Sequence, residues 1–329
     1  MSTSPQNPVQ GARNTGLVAD VSSKLHMTGL GHPESPDRFD AVLAGLTQSG
    51  LLDSLVKIDS RPAAEEELEM CHTRDYLLRT RNEIRDGAEA LDAGDTQVCS
   101  DSWDAATRAA GGVLNAVDAV VNGRVRNAFC VVRPPGHHAT VDHAMGFCLL
   151  NNVALAARHA QKKHGLKKAL IVDWDVHHGN GTQDIFYEDG SVFFFSTHQS
   201  PWYPGTGREM ETGAAGGYGM TLNCPLPAGS GMKEIRSAFK NKLIPAAEAF
   251  KPDIVLISAG FDSRIDDPLG NFTLTDDDFV ELTDMVAEIA RAHAGGRLVS
   301  VLEGGYNPEG LATAACAHIR ALIRAAEMS

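Results

Sequence analysis

Residues 169–182, ALIVDWDVHHGNGT, join a short apolar run to a dense group of ionisable side chains. The run 169–172 has the length of a β-strand and does not alternate with polar residues, so we expect both of its faces to be covered. Such strands are typical of parallel sheets, which bind ligands beyond the carboxyl ends of their strands. The polar residues begin at Asp173, where this strand is predicted to end. The stretch therefore predicts an α/β fold with a functional site at that edge of the sheet.

Strand-length apolar runs recur along the chain and alternate with helical patterns. The runs are 128–132, 192–195, 254–258 and 298–302, and the helical patterns are 102–121, 151–163, 234–250, 275–293 and 309–326. This alternation predicts one α/β domain built on a parallel sheet. No linker or internal repeat interrupts the chain after its polar start. We therefore predict a loose segment over residues 1–16 and a single catalytic domain over 17–329.

Composition excludes several classes of protein and partner. Hydrophobic residues make up 43% of the 329 residues, enough for a large core, but no apolar run is long enough to predict a membrane span. The net charge of −13 argues against direct nucleic-acid binding, which requires a basic surface. The N-terminus lacks the pattern of a secretory signal. Six dispersed cysteines without a CxxC pair predict reduced thiols, and together these features predict a cytoplasmic protein.

Most of the excess negative charge comes from acidic residues in one stretch of the chain. Between Ile265 and Ala290 there are eight acids and no Lys or Arg. Those that follow Thr275 suit the start and the solvent face of a helix. Only Asp266 and Asp267 are expected to lie near enough to a site to touch a substrate.

Reactive side chains follow four of the predicted strands. They are His137 and His138 after 128–132; Asp173, Asp175, His177, His178 and Asn180 after 169–172; Asp262 after 254–258; and Glu303 and Tyr306 after 298–302. Any one of these groups alone is better explained as a polar loop. Because all four lie at the same edge of the predicted sheet, we expect one shared site. Two further histidines, His159 and His164, are expected on the surface of a helix.

The spacing of Asp175 and His177 points to a metal. Residues two apart on an extended strand end point the same way, and Asp262 arrives from another strand. Three protein ligands of this kind, with a position left for water or substrate, are typical of catalytic zinc. Fe²⁺ or Co²⁺ could bind the same set, and the sequence does not separate them. Asp173 is expected to support a ligand or bind a hard cation rather than to be a fourth zinc ligand.

The tandem pair His137-His138 and Tyr306 could supply the remaining catalytic groups. One imidazole could act as a general base for a metal-activated water, held by Asp173 or Asn180, although the pair could also serve only to cap backbone carbonyls. The Tyr306 hydroxyl could stabilise an oxyanion, or the side chain could be a rim tyrosine in a turn.

Together these motifs resemble the zinc-dependent histone deacetylase family. The matching segments are HPESPDR (32–38), RPPGHHA (133–139), GFCLLNNVALAARHA (146–160), VDWDVHHGNGTQDIFY (172–187), PGTG (204–207), SAGFDSRIDDPLG (258–270) and LEGGYNPEGL (302–311). They run in the family's order and are most similar to the class II branch and its bacterial deacetylase-like amidohydrolases. The resemblance implies the arginase/deacetylase fold, a central eight-stranded parallel sheet flanked by helices.

The resemblance also implies a role for each matching side chain. Asp175, His177 and Asp262 would bind one zinc ion per chain. His138 would act as general base and then general acid, and Tyr306 would stabilise the oxyanion.

Supporting roles follow in the same way. His137 would be the neighbouring imidazole that acts electrostatically, supported by Asp173, while Asn180 would support His138. The class I branch has an aspartate in place of Asn180, so we expect a lower pKa for His138 here.

The resemblance implies a structural potassium ion as well. Its site would be formed by Asp173 and Asp175 and by the backbones of His177, Ser196 and Thr197.

Residues of the substrate tunnel distinguish subfamilies. Gly146 and Phe147 match one wall, and Tyr203 stands where the family commonly has the facing phenylalanine. Tyr306 is the tyrosine of active deacetylases, where the weakly active class IIa enzymes have histidine. Leu269 stands where class IIb polyamine deacetylases have a glutamate.

The implied function is removal of an acyl (acetyl) group from N-acyl-lysine side chains of proteins or peptides, by attack of a zinc-activated water. The alternative is a deacylase of small acylated amines such as acetylpolyamines, which Leu269 argues against. A non-catalytic acyl-lysine or metal-binding module is disfavoured by the complete set of side chains. Arginase is disfavoured because its two-manganese site needs further Asp and His ligands. No nucleic acid or membrane partner is expected, and a homo-oligomer remains open.

Overall fold

The computed structural model describes residues 14–92 and 94–328. Its strands are β1 (Thr15–Val18), β2 (Val56–Ile58), β3 (Ala90–Leu91), β4 (Thr96–Gln97), β5 (Asn127–Cys130), β6 (Ala169–Asp173), β7 (Val192–Gln199), β8 (Thr221–Leu226), β9 (Ile254–Ala259) and β10 (Leu298–Leu302). Eight of them form one parallel sheet in the order β2-β1-β5-β10-β9-β6-β7-β8. Strands β3 and β4 form a separate antiparallel pair.

Helices cover both faces of the sheet. They are α1 (Asp37–Gln48), α2 (Glu65–Leu68), α3 (Arg74–Arg85), α4 (Ser102–Val121), α5 (Asn152–His164), α6 (Asn180–Phe186), α7 (Met232–Ala238), α8 (Ile244–Phe250), α9 (Asp276–His293) and α10 (Pro308–Glu327). A π-helical turn, Phe239–Leu243, joins α7 to α8. The predicted eight-stranded parallel sheet flanked by helices is confirmed.

Successive side chains along each central strand pack alternately into two separate hydrophobic cores. In β6, Leu170 and Val172 pack into the core formed with α1, α9 and α10, whereas Ala169 and Ile171 pack into the core formed with α4 and α5. Because both faces are covered, the apolar runs of the central strands do not alternate with polar residues. The five strands predicted from such runs are the five adjacent central strands of the sheet.

The folded domain begins earlier in the chain than the sequence predicts. Residues 1–13 lie outside the described residues, but β1 begins at Thr15, and Thr15 and Gly16 pair with Asn127 and Ala128 of β5. The prediction that the loose segment reaches residue 16 is therefore wrong in its last two residues. The four-residue strand TGLV is too short to be distinguished by periodicity from the polar sequence before it.

Two exclusions drawn from composition can be compared with the structure. Among residues 14–92 and 94–328, no helix combines the length and the apolar character needed to cross a membrane. The six cysteines, all within these described ranges, are free thiols, and five of them are buried.

Candidate active site

The carboxyl edge of the sheet brings the predicted metal ligands together. Asp175, His177 and Asp262 are buried, and one ligand atom of each lies within 4.8 Å of the other two. The His177 Nδ1 atom is 3.1 Å from Asp175 Oδ1 and 3.2 Å from Asp262 Oδ2. Strand β6 ends at Asp173, so Asp175 and His177 lie in the loop just beyond it, while Asp262 follows β9. The arrangement is a carboxylate–imidazole–carboxylate set that could hold a metal ion.

The charges of this group favour the binding of a cation. Burial and the nearby Asp175 carboxylate raise the pKa of Asp262 well above its usual range. Burial alone would lower the pKa of His177, but hydrogen bonds to Asp175 and Asp262 raise it to about 10. Two buried carboxylates thus compete for positive charge at one point, and a divalent ion would supply it.

Two glycines allow the carboxylates to reach this position. A Cβ atom at Gly304 would overlap the Asp262 carboxylate, and one at Gly260 would overlap that of Asp175. Backbone N–H groups hold the same carboxylates, since Gly304 N donates to Asp175 Oδ2 at 2.8 Å and Val176 N donates to Asp262 Oδ1 at 2.9 Å. The donor atoms are therefore fixed by the main chain before any ion binds.

The tandem histidines each have the partner that the resemblance implies. His137 Nδ1 lies 3.0 Å from Asp173 Oδ2, and His138 Nδ1 lies 2.7 Å from Asn180 Oδ1. The two ring centroids are 4.0 Å apart. His137 turns its other nitrogen towards Asp175, 3.9 Å from Oδ2, whereas His138 lines the adjoining cavity. Of the pair, His138 is the imidazole that a ligand in the cavity can reach.

These surroundings move the two imidazole pKa values in opposite directions. Burial, followed by the positive charge of His137, lowers the pKa of His138 well below its usual value. Burial would also lower the pKa of His137, but the carboxylates of Asp175 and Asp173 raise it to about 10. These shifts favour the neutral form of His138, which can accept a proton, and the charged form of His137.

Glu303, at the end of β10, holds the histidine loop. Its Oε2 atom accepts hydrogen bonds from Gly136 N at 2.6 Å and His137 N at 3.1 Å. Burial raises the pKa of this carboxyl group to about 7. The acid thus connects two strand ends within the site.

A cluster of buried charges positions the loop that carries Tyr306. The Arg38 guanidinium donates to Gly305 O at 2.7 Å and lies 4.9 Å from the centre of the Tyr306 ring. Glu34 forms ion pairs with both Arg38 and Arg133, and all three side chains are buried. Through Arg38, the HPESPDR motif therefore contacts both the backbone of the Tyr306 loop and the Tyr306 ring. The sequence did not predict these contacts.

Asp267 has a structural position rather than the predicted one beside a substrate. Its carboxylate accepts backbone hydrogen bonds from Tyr306 N at 2.7 Å, Asn307 N at 3.3 Å and Leu269 N at 2.9 Å. Its side chain is turned inward because these N–H groups need an acceptor, and only 8% of the residue is exposed. The expectation that it touches substrate is wrong.

An open cavity of about 280 Å³ leads from the surface to the histidines and Tyr306. The lining residues are Asp95, His138, Gly146, Phe147, His177, Trp202, Tyr203, Leu269 and Tyr306. All the tunnel residues implied by the resemblance line it. Asp95 and Trp202 were not predicted, because neither lies in a segment that carried a recognisable pattern.

Residues 32–322 match the histone deacetylase domain family. This chain belongs to that family. It is 39% identical over 278 residues to the histone deacetylase-like amidohydrolase of Pseudomonas aeruginosa, a match that covers 84% of this chain and 73% of that one. It is 42% identical over 302 residues to the polyamine deacetylase HDAC10 of Homo sapiens, covering 88% and 44%. The solved HDA15 HD domain aligns with a TM-score of 0.90 and 40% identity, covering 94% and 90%. The predicted family and fold are confirmed.

Tyr203 is a departure from the family pattern that the structure explains. Its hydroxyl donates to Asp95 Oδ2 at 2.8 Å, and the Oδ1 atom of the same carboxylate accepts from Gly146 N at 3.1 Å. The ring still faces the histidines, with its centroid 5.2 Å from that of His138. The added hydroxyl is therefore held by Asp95, and this carboxylate links the two walls of the cavity.

The residues of the implied potassium site lie side by side. Ser196 and Thr197 belong to β7, and Ser196 pairs in register with Asp173 of β6. The Ser196 hydroxyl lies 2.9 Å from His198 Nδ1. The Thr197 hydroxyl is buried without a hydrogen-bond partner among the described residues.

Proposed function

We propose that this deacetylase-family chain hydrolyses the amide of N-acetyl-lysine side chains on proteins or peptides, with one zinc ion held by Asp175, His177 and Asp262. One observation carries the proposal. The carboxylate–imidazole–carboxylate set, a neutral imidazole and a tyrosine meet at the inner end of an aromatic-walled cavity of about 280 Å³.

The donor set fits zinc. One imidazole and two carboxylates are ligands that zinc accepts at catalytic sites, and Mg²⁺ or Ca²⁺ would not favour the imidazole. The glycines at 260 and 304 leave the space that the carboxylates occupy. When bound, the ion would polarise the amide carbonyl and lower the pKa of water.

His138 and Tyr306 would carry out the proton transfer and the charge stabilisation. Neutral His138 takes a proton from the attacking water while Asn180 holds its Nδ1 atom. The Tyr306 hydroxyl, whose pKa burial raises well above its usual value, stays protonated and donates to the oxyanion that develops on the carbonyl oxygen. The His138 imidazolium then protonates the leaving amine. The products are free lysine and acetate.

The shape of the cavity supports an extended alkyl amide as substrate. Phe147 and Tyr203 provide aromatic walls along which the lysine stem would lie, while Leu269 adds an apolar side chain to the lining. A burial of this kind stabilises a methylene chain by about 0.8 kcal/mol per CH₂ group.

The second candidate is deacylation of small acylated amines, favoured by the likeness to a relative named a polyamine deacetylase. Two features of this chain weigh against it. Leu269 provides no charge for a cationic substrate, and Asp95, the one carboxylate lining the cavity in the described part of the chain, is already bonded to Tyr203 and Gly146.

A structural potassium ion beside β6 and β7 is also part of the proposal, supported by the register that sets Asp173 next to Ser196. The cytoplasmic location and the absence of direct nucleic-acid partners stay predictions from the sequence.

A substrate panel tests the function. Acetyl-lysine peptide and acetylputrescine are compared at equal concentration, with chelator and after addition of Zn²⁺. We expect faster turnover of the peptide, lost with chelator and restored by zinc. Preference for acetylputrescine would establish the second candidate instead, and no turnover of either by metal-loaded protein would contradict both.

A further inference from the structure

A second group of metal-ligand side chains lies outside the active site. Asp118 on α4 and His159 and His164 on α5 each place one ligand atom within 4.8 Å of the other two. Asp118 Oδ1 is 2.8 Å from His159 Nε2 and 2.7 Å from His164 Nε2. The sequence suggested surface histidines, but His159 is only 3% exposed, because it points into the contact between the two helices.

This group is separated from the catalytic one by the length of a helix. A helix that joins two parallel strands runs from the carboxyl edge of the sheet back to the amino edge. His164 is the last residue of α5, and Asp118 lies near the end of α4, so both belong to the amino edge. The 13 residues of α5 span about 20 Å. An ion there would take no part in the proposed hydrolysis.

We propose that Asp118, His159 and His164 form a second metal site, which binds a divalent transition-metal ion such as Zn²⁺ and joins α4 to α5. Two imidazoles and one carboxylate are a donor set for Zn²⁺ and its neighbours rather than for Mg²⁺ or Ca²⁺. The site has one more imidazole and one fewer carboxylate than the catalytic set.

Two of the three ligands, Asp118 and His159, have pKa values shifted by their surroundings. Burial would raise the pKa of Asp118, but hydrogen bonds from Lys163, His164 and His159 lower it to about 2. Burial lowers the pKa of His159 and favours its neutral form. The Nε2 atoms of His159 and His164 donate to the Asp118 carboxylate, so each gives up that proton when an ion binds, and binding of the ion releases protons.

A carboxylate lies behind one of the imidazoles. The Nδ1 atom of His159 is 3.9 Å from Glu67 Oε1, and Glu67 is held by two hydrogen bonds of 2.6 Å from Arg61. At 3.9 Å this carboxylate is beyond hydrogen-bond distance, so it acts on the ring through its charge.

An ion can reach the site from solvent. The side chain of Asp118 is 22% exposed, and the ammonium group that pairs with its Oδ2 atom belongs to Lys163, which is 51% exposed and lies 2.7 Å away. Lys163 neutralises the carboxylate and would have to move as the ion binds. The lysine is therefore a competitor for the site, and its removal should strengthen binding.

The experiment measures a second ion on the metal-loaded protein. Protein with its catalytic site filled is dialysed against a buffered low concentration of free Zn²⁺, and bound zinc per chain is determined together with Tm. The variant is His164→Gln. The matched control is His143→Gln, which alters an exposed histidine paired with Asp142.

We expect the wild-type chain and the control to bind one zinc ion more than His164→Gln and to gain Tm from it, whereas Tm of His164→Gln does not rise. Lys163→Met is expected to lower the zinc concentration for half-saturation several-fold. Equal zinc content in wild type and His164→Gln would contradict the proposed metal site. The three side chains would then serve only as a hydrogen-bonded contact between α4 and α5. Weaker binding by Lys163→Met would also contradict it. Both readouts are independent of catalysis.

Discussion

The two His–carboxylate groups lie at opposite edges of one sheet and are built differently. In the catalytic group, main-chain N–H groups of the strand-end loops hold both Asp175 and Asp262. In the second group, side chains on two helices hold one another, and Lys163 neutralises Asp118. The comparison teaches that donors held by the backbone keep their geometry in the absence of an ion. Donors held by side chains can rearrange.

Charge balance gives the same contrast. The catalytic group has two buried carboxylates facing one imidazole, so a bound cation would offset the repulsion between the acids. Asp118 is already surrounded by donors and partly screened by water. We therefore expect a strong dependence on metal at the carboxyl edge of the sheet and a weak one at the amino edge.

The largest expected effect is the loss of activity in Asp262→Asn, compared with the equivalent substitution in the second group. Loss of a carboxylate from the buried set weakens metal binding there, so we expect kcat to fall to the level of chelator-treated wild type and the metal content to fall by the catalytic ion. Asp118→Asn is the matched control and should keep its activity on acetyl-lysine peptide. Equal losses of activity in the two variants would contradict the claim that only the group at the carboxyl edge of the sheet takes part in catalysis.

Tyr306→Phe sharpens the comparison by leaving the metal ligands untouched. Removal of one oxyanion donor is expected to lower kcat by about a few hundredfold, because the hydrogen bond is strongest in the transition state. Metal analysis should give the wild-type content. An unchanged kcat would exclude the proposed role of the hydroxyl.

In the absence of added zinc, Asp118→Asn should have the smallest effect, a loss of stability with activity retained. The loss in the free energy of unfolding is expected to be about 1 kcal/mol, since half-exposed ion pairs are screened by water. The pKa of Asp118 is lowered in the folded state to about 2 from an ordinary value of 3.8. Its contribution is therefore present above about pH 4 and is lost as the pH falls towards 2. Denaturant titrations of both proteins across this range would reveal a constant difference if the account of Asp118 were incorrect.

Local sequence predicted the centre of the molecule well. The five central strands were visible because burial on both faces produces continuous apolar runs, and Asp175, His177 and Asp262 were found because strand ends of a parallel sheet share an edge. The outer strands β1, β2 and β8 were not predicted, because they are short or, like Thr221–Leu226, contain polar residues and proline.

Local sequence patterns do not predict contacts between segments that are far apart in the chain. Arg38 meets Gly305 across 267 positions, and Tyr203 meets Asp95 across 108. The inward turn of Asp267 and the burial of His159 likewise depend on elements that pack against them. In each case the residue type was evident in the sequence, but the direction of the side chain was set by tertiary packing.

The most direct test of the proposed activity is turnover of an acetyl-lysine peptide by chelator-treated protein before and after one equivalent of Zn²⁺ per chain. We predict no turnover before addition and full recovery after it, in wild type and in His164→Gln alike. Full turnover by protein shown to be free of metal would contradict the assignment of Asp175, His177 and Asp262 as the metal-binding centre of catalysis.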